Sequence, residues 1–226
     1  MKLFFKHNGL YLFIYLVALA ILGYILLHHD KVQIHLVINA WVGNPVWDTF
    51  FKYITHVGDG LFASLVIMAL LFVSLRKSLY ILVSYAGAAL ISSFFKYFLY
   101  PNTFRPYSTF GYFLPETKLN IVEGVEMVSI RSFPSGHALS AFSLFFCLIF
   151  MTKNQALKAL FCVLAFVSSF SRLYLSQHWL IDVYVGSLIG VGFSLLFYAV
   201  FYNTSRFSYL DTTLPKLISE NKQKRV

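Results

Sequence analysis

Four polar residues stand at fixed intervals in the stretch from Ser171 to Asp182, SRLYLSQHWLID. Arg172 follows the serine, His178 comes seven places after it, and Asp182 four places after the histidine. A spacing of four puts His178 and Asp182 on one helix face. The carboxylate can then accept one imidazole N–H and leave the other ring nitrogen free and more nucleophilic. Two earlier stretches offer complementary groups: KYFLYPNTFRP holds Lys96 and Arg105, and PSGH holds Ser135, Gly136 and His137. Lys96, Arg105 and Arg172 are three cations, and arginine forks match phosphate oxygens bidentately. PSGH reads as a loop entering a helix, where Gly136 permits close backbone approach and free N–H groups favour an anion. Two histidines, one held by a carboxylate, suit a nucleophile and a general acid. Phosphoryl cleavage is the chemistry this set of residues can do.

The elements that must position these groups are membrane helices. The chain is 58% hydrophobic, 19% aromatic and only 12% charged, with a mean hydropathy of +0.70. That composition describes an all-α polytopic membrane protein, not a soluble core. Six transmembrane spans are expected, at about 9–27, 61–75, 79–95, 138–151, 156–173 and 179–202, in a single domain over 1–226. The first apolar run continues past the cleavage-like Ala18-Leu19-Ala20, so it reads as an uncleaved helix. Residues 28–58 read as an amphipathic interfacial stretch with Trp41 and Trp47 at the lipid–water boundary. Residues 100–133 form the long outer loop, and 203–226 a polar, basic, partly disordered tail. Cys147 and Cys162 fall inside apolar runs and read as packing residues.

The net charge of +9 belongs to topology and anionic headgroups, because no basic stripe exists to bind nucleic acid. With the N-terminus inside, eleven of the 18 lysines and arginines lie on the inner side and seven on the outer. Three of those seven are Lys96, Arg105 and Arg172. Both termini are then cytoplasmic, with the active face toward the periplasm or exterior of a plasma (bacterial inner) membrane. His137 and Arg172 are 35 residues apart. A crossing takes about 20 residues or somewhat fewer, so that gap is one pass out and one back, and the two residues share a face. Ionisable groups at such a place are costly and point to function.

These residues resemble the type 2 phosphatidic acid phosphatase family of integral-membrane lipid phosphatases, whose fold is shared with vanadium haloperoxidases. PSGH matches at 134–137, and the S-R-x5-H-x3-D motif matches at every fixed position from Ser171 to Asp182. The first motif departs, since eight residues separate Lys96 from Arg105 where the family has six. The resemblance implies that His178 attacks phosphorus to form a phosphohistidine, with Asp182 orienting it. It implies that His137 protonates the leaving group and then helps activate water. Lys96, Arg105, Ser135, Gly136 and Arg172 would hold the phosphoryl oxygens, with no metal and no cofactor. The substrate would be a membrane lipid phosphate: undecaprenyl diphosphate, lipid A phosphate, phosphatidylglycerophosphate or phosphatidic acid.

Plainer readings apply to the other polar residues. His7, His28, His29, His35 and His56 read as interface residues, Asp59 as a helix cap, and Glu116, Glu123 and Glu126 as a solvated loop face. Arg131 is placed evenly between substrate and an acidic loop partner. Two alternatives to hydrolysis remain: a lipid phosphotransferase, and a non-catalytic lipid-phosphate binder or transporter. The latter needs cations but neither nucleophile nor acid.

Overall fold

The computed structural model describes residues 2–202 and 205–223. They form ten α-helices with short 3₁₀ and π turns, and no strand among the described residues. α1 is Lys2–His28, α2 Lys31–Asn39, α3 Pro45–Ile54, α4 Gly60–Leu71 and α5 Leu75–Phe94. α6 is Pro106–Phe113, α7 Gly136–Met151, α8 Gln155–Tyr174, α9 Leu180–Tyr202 and α10 Leu214–Gln223.

Four segments are long and apolar enough to cross a membrane: Leu3–His28, Leu75–Leu99, Gln155–Tyr174 and Leu180–Tyr202. A fifth arises if Pro45–Gly58 and Gly60–Leu71, bent by 51° at their junction, are one crossing. α7 is apolar but only 16 residues long. The expected span at 61–75 is therefore corrected. α4 ends at Leu71, and Ser74 caps the next helix by accepting from the Lys77 N–H. Arg76 and Lys77 lie in the first turn of α5. The interfacial stretch is two helices, not one, capped by Asp30 and by Asn44 with Pro45 at the first helical position.

α7 is the centre of the bundle, with Leu139, Phe142, Phe145, Phe146 and Ile149 all buried. A helix apolar on every face belongs inside. Its partner α9 meets it through two glycines four residues apart. A Cβ at Gly186 would stand 2.6 Å from the Ser135 carbonyl oxygen, and one at Gly190 2.6 Å from that of Leu139. Small residues at this spacing let helix backbones approach closely in a membrane. The contact ends at Ser135, so it fixes how near PSGH lies to the start of α9.

Two cations assigned to the inner side do more than set topology. Lys158 is fully buried, and its ammonium donates to the His7 carbonyl at 2.7 Å and to the Asn8 side chain, joining α8 to α1. Arg76 donates to the Phe201 carbonyl and pairs with Asp211 at 2.8 Å. The Leu75 N–H also donates to the Thr212 carbonyl. The 3₁₀ turn at Ser205–Leu210 and the Asp211–Thr212 stretch thus pack against α5, and α10 follows. Of the tail expected to be partly disordered, residues 203–204 and 224–226 lie outside the described residues.

Candidate active site

The turn between α8 and α9 is the floor of the site. The Arg172 carbonyl accepts from the backbone N–H of both Gln177 and His178, at 2.9 and 3.1 Å. Ser176 closes the turn at φ 53°. His178 precedes α9 instead of lying on it, and Asp182 sits in the first turn of that helix. The sequence-based placement of both on one helix is corrected to this extent. The two still meet: His178 Nδ1 lies 3.4 Å from Asp182 Oδ2, with both side chains 2% exposed. The same carboxylate oxygen accepts from the Trp179 N–H at 2.9 Å and from the Ser132 hydroxyl. Two donors besides the ring converge on that oxygen, so the carboxylate is fixed before it orients the ring.

The cations stand around this pair. Arg105 immediately precedes α6, and its guanidinium donates to the Ile130 carbonyl and to both oxygens of Gln177, at 3.1 to 3.2 Å. Arg172, in the last turn of α8, donates through one terminal nitrogen to the Thr55 hydroxyl at 2.9 Å. Its Nε is buried with no hydrogen-bond partner. An orphaned donor of this kind calls for an acceptor. Lys96 lies in the π turn Phe95–Leu99, and a Cβ at Gly136 would stand 3.4 Å from its Nζ. The two extra residues between Lys96 and Arg105 thus do not keep the lysine from PSGH. Ser135 caps α7, its hydroxyl accepting from the Ala138 N–H, and its own N–H donates to the Asp182 carbonyl at 2.9 Å.

Burial, followed by the charges of Arg105, Arg172 and Lys96, pushes the His178 imidazole well below the ordinary histidine range. A neutral ring with Nδ1 beside Asp182 leaves Nε2 with its lone pair. His137 is half-buried and opens on a cavity of about 200 Å³ that it shares with Arg172, Gln177, Thr55, His56 and Lys52. The arrangement brings a carboxylate-paired histidine, a second histidine and the cations Lys96 and Arg172 into one site.

Sequence reasoning missed Ser132, Thr55, Gln177 and the Trp179 N–H. Ser132 stands two residues before PSGH and Gln177 at a variable position inside the Ser171–Asp182 motif, and neither carries a signal beyond that. Thr55 sits 117 residues from Arg172, where no spacing rule reaches. His35 is corrected from interface to interior: it is buried, bonded to Ser176 at 3.1 Å and edge-on to Trp179. Asp59 does cap α4, and it also contacts His56 at 3.3 Å. Arg131 lies over the Tyr97 ring at 4.6 Å. The loop acids Glu116, Glu123 and Glu126 are exposed, and no cluster of three or more metal-ligating side chains occurs among the described residues.

Known proteins resemble this chain in sequence and in fold. Two curated relatives match in part: a lipid A 4'-phosphatase of Bacteroides thetaiotaomicron, 34% identical over 83 residues, and the bacitracin transport permease protein BcrC of Bacillus licheniformis, 32% identical over 113. The matches cover 37% and 50% of this chain, and 37% and 49% of those relatives' lengths. Among solved structures, LpxE of Aquifex aeolicus superposes with a TM-score of 0.63 at 25% identity, over 73% of this chain and 92% of its own. A PAP2-type phosphatidylglycerolphosphate phosphatase of Bacillus subtilis superposes at 0.61 and 22% identity, over 89% and 99%, and supports the fold alone. The PAP2 superfamily model matches residues 77–206, more than half the chain and every motif named above, and this integral membrane protein belongs to that family.

Proposed function

We propose that this protein is a lipid phosphatase that hydrolyses a lipid phosphomonoester or diphosphate through a phosphohistidine. The observation that carries the reading is the buried His178–Asp182 pair among Lys96, Arg105 and Arg172. A binder or transporter needs the cations but not a neutral, carboxylate-oriented histidine beneath them.

In the first step Nε2 of His178 forms a bond to phosphorus as the bond from phosphorus to the leaving oxygen breaks. His137 gives that oxygen its proton. In the second step His137 takes a proton from water, which attacks the phosphohistidine; inorganic phosphate leaves and His178 is restored. Lys96, Arg105, Arg172 and the N-terminus of α7 meet the charge on the equatorial oxygens, where fixed donors in a dry site act most strongly. The orphaned Nε of Arg172 is one such donor.

The substrate's chain fits the apolar cavity of about 610 Å³ whose lining includes Leu22 of α1, Phe51 of α3, Phe170 and Leu173 of α8, and Leu180 of α9. We take the bent pair and α7 as crossings, which makes six, with both termini cytoplasmic and the site on the outer face of a bacterial inner membrane. Acid-labile, alkali-stable phosphate should be trapped on the protein during turnover of radiolabelled lipid phosphate and be absent from His178→Ala. Equal labelling of both proteins overturns the covalent mechanism.

A further inference from the structure

The 200 Å³ cavity that His137 and Arg172 line is also lined by Lys52, His56 and the carboxylate-bearing Glu126. Lys52 and His56 line it from one side of α3 and the turn that follows, with Thr55 between them. Gly124, Val125 and Glu126 of the long loop close it from the other side. At ~30 Å³ per water it holds about six waters, room for a polar group beyond the phosphoryl bound at Arg172. Lys52 takes part in no ion pair among the described residues; its ammonium donates only to the Glu123 main-chain carbonyl, at 2.8 Å. His56 contacts Asp59 through Nδ1, which leaves Nε2 as its other ring nitrogen.

In-line displacement places the leaving oxygen opposite Nε2 of His178. His137, the proposed proton donor to the leaving oxygen, lines this cavity, which puts the cavity on the leaving-group side in that reading. A lipid alcohol as leaving group would need an apolar wall there, yet beyond Val125 and Leu175 the lining is polar or charged. α3 also turns Trp47, Phe50 and Phe51 toward the apolar cavity next to it. One short helix thus serves an anion on one side and a hydrocarbon chain on the other.

We propose that Lys52 and His56 bind a phosphate in the leaving group, so that the preferred substrate is a lipid diphosphate cleaved at its terminal phosphoryl. The inference rests on the phosphatase reading above and deepens it. His178 takes the terminal phosphorus, and the bridging P–O bond breaks with its electron pair on the lipid phosphate. His137 supplies the proton, and water then releases inorganic phosphate. The balance is lipid diphosphate plus water to lipid monophosphate plus phosphate. Lys52 stabilises charge that grows on the departing phosphate, a role a monophosphate substrate does not offer it.

The test measures kcat/KM of the purified protein on farnesyl diphosphate and farnesyl monophosphate, which share one chain, for the wild type, Lys52→Met, Lys52→Arg and His56→Gln. The wild type should prefer the diphosphate. That preference should fall at least tenfold in Lys52→Met, less in His56→Gln, and return largely in Lys52→Arg, as a charge-assisted hydrogen bond predicts. A wild type that cleaves the monophosphate as well, or a preference unchanged in Lys52→Met, overturns this inference and leaves the phosphatase reading standing. Phosphate release from neither compound by the wild type overturns both.

Discussion

The two halves of this bundle are packed in opposite ways. In the α7–α9 half, glycines at 186 and 190 bring backbone against backbone, and almost every side chain of α7 is buried. In the α1–α3 half, Leu10, Phe13, Leu16, Trp47 and Phe50 are exposed, and a large apolar cavity is lined by α1, α3, α8 and α9. The proposed chemistry sits on the close-packed half. A nucleophile, its orienting carboxylate and an anion-binding helix start must be held to within about half an ångström to act together. The open half faces lipid, where a chain of variable shape must slide in. Rigidity and access are divided between two sets of helices, and the site lies where they meet.

The largest effect should come from the fixed half. His178→Ala removes the nucleophile, and phosphate release should fall by three orders of magnitude or more. Arg172→Met removes the orphaned donor and should lower kcat by about 10²–10³, as for other preorganised transition-state donors. Gly186→Val drives a side chain into the Ser135 carbonyl, which backbone cannot yield; lowered yield and a lower Tm in detergent should follow. Leu22→Trp, which fills part of the apolar cavity, should instead raise KM for long-chain lipids several-fold at unchanged Tm. If Gly186→Val is tolerated and Leu22→Trp unfolds the protein, the contrast between the halves is wrong.

Smaller effects follow from proton linkage. His178 is held below the ordinary histidine range, so it stays in its nucleophilic form as pH falls through that range. The acid limb of the rate profile should therefore be displaced below pH 6.5. A rate already falling as pH drops to 6.5 contradicts a neutral His178 nucleophile. Stability carries the same sign. His35 is lowered to about 4 by burial, so between pH 6.5 and 4 the unfolded chain binds protons that the folded one refuses. Folding stability should therefore fall with acid, full above pH 6.5 and weakening below it. In His35→Gln the drop in Tm between pH 7 and 5 should be smaller.

The sequence exposed the grouping of the candidate site better than the architecture. That His137, Arg172, His178 and Asp182 come together was legible because a helical hairpin needs those separations. Their supports were not. Thr55 reaches Arg172 and Ser132 reaches Asp182 only through the fold, and nothing local in Gly186 and Gly190 names Ser135 and Leu139 as their neighbours. The boundary between α4 and α5 was misread because a segment apolar on all sides has no phase to follow. Ser74 was the one local sign of a helix start. His35 carried no sign of its burial, since its partner Ser176 lies 141 residues away.

The central claim is that the histidine under the three cations does the cleavage. The most direct measurement is phosphate release by the detergent-purified protein and by His178→Ala, on a panel of lipid monophosphates and diphosphates. The account predicts release from at least one of these lipids by the wild type and none by the variant, at unchanged Tm. Equal release by both proteins, or none from any lipid by a folded wild type, would contradict it.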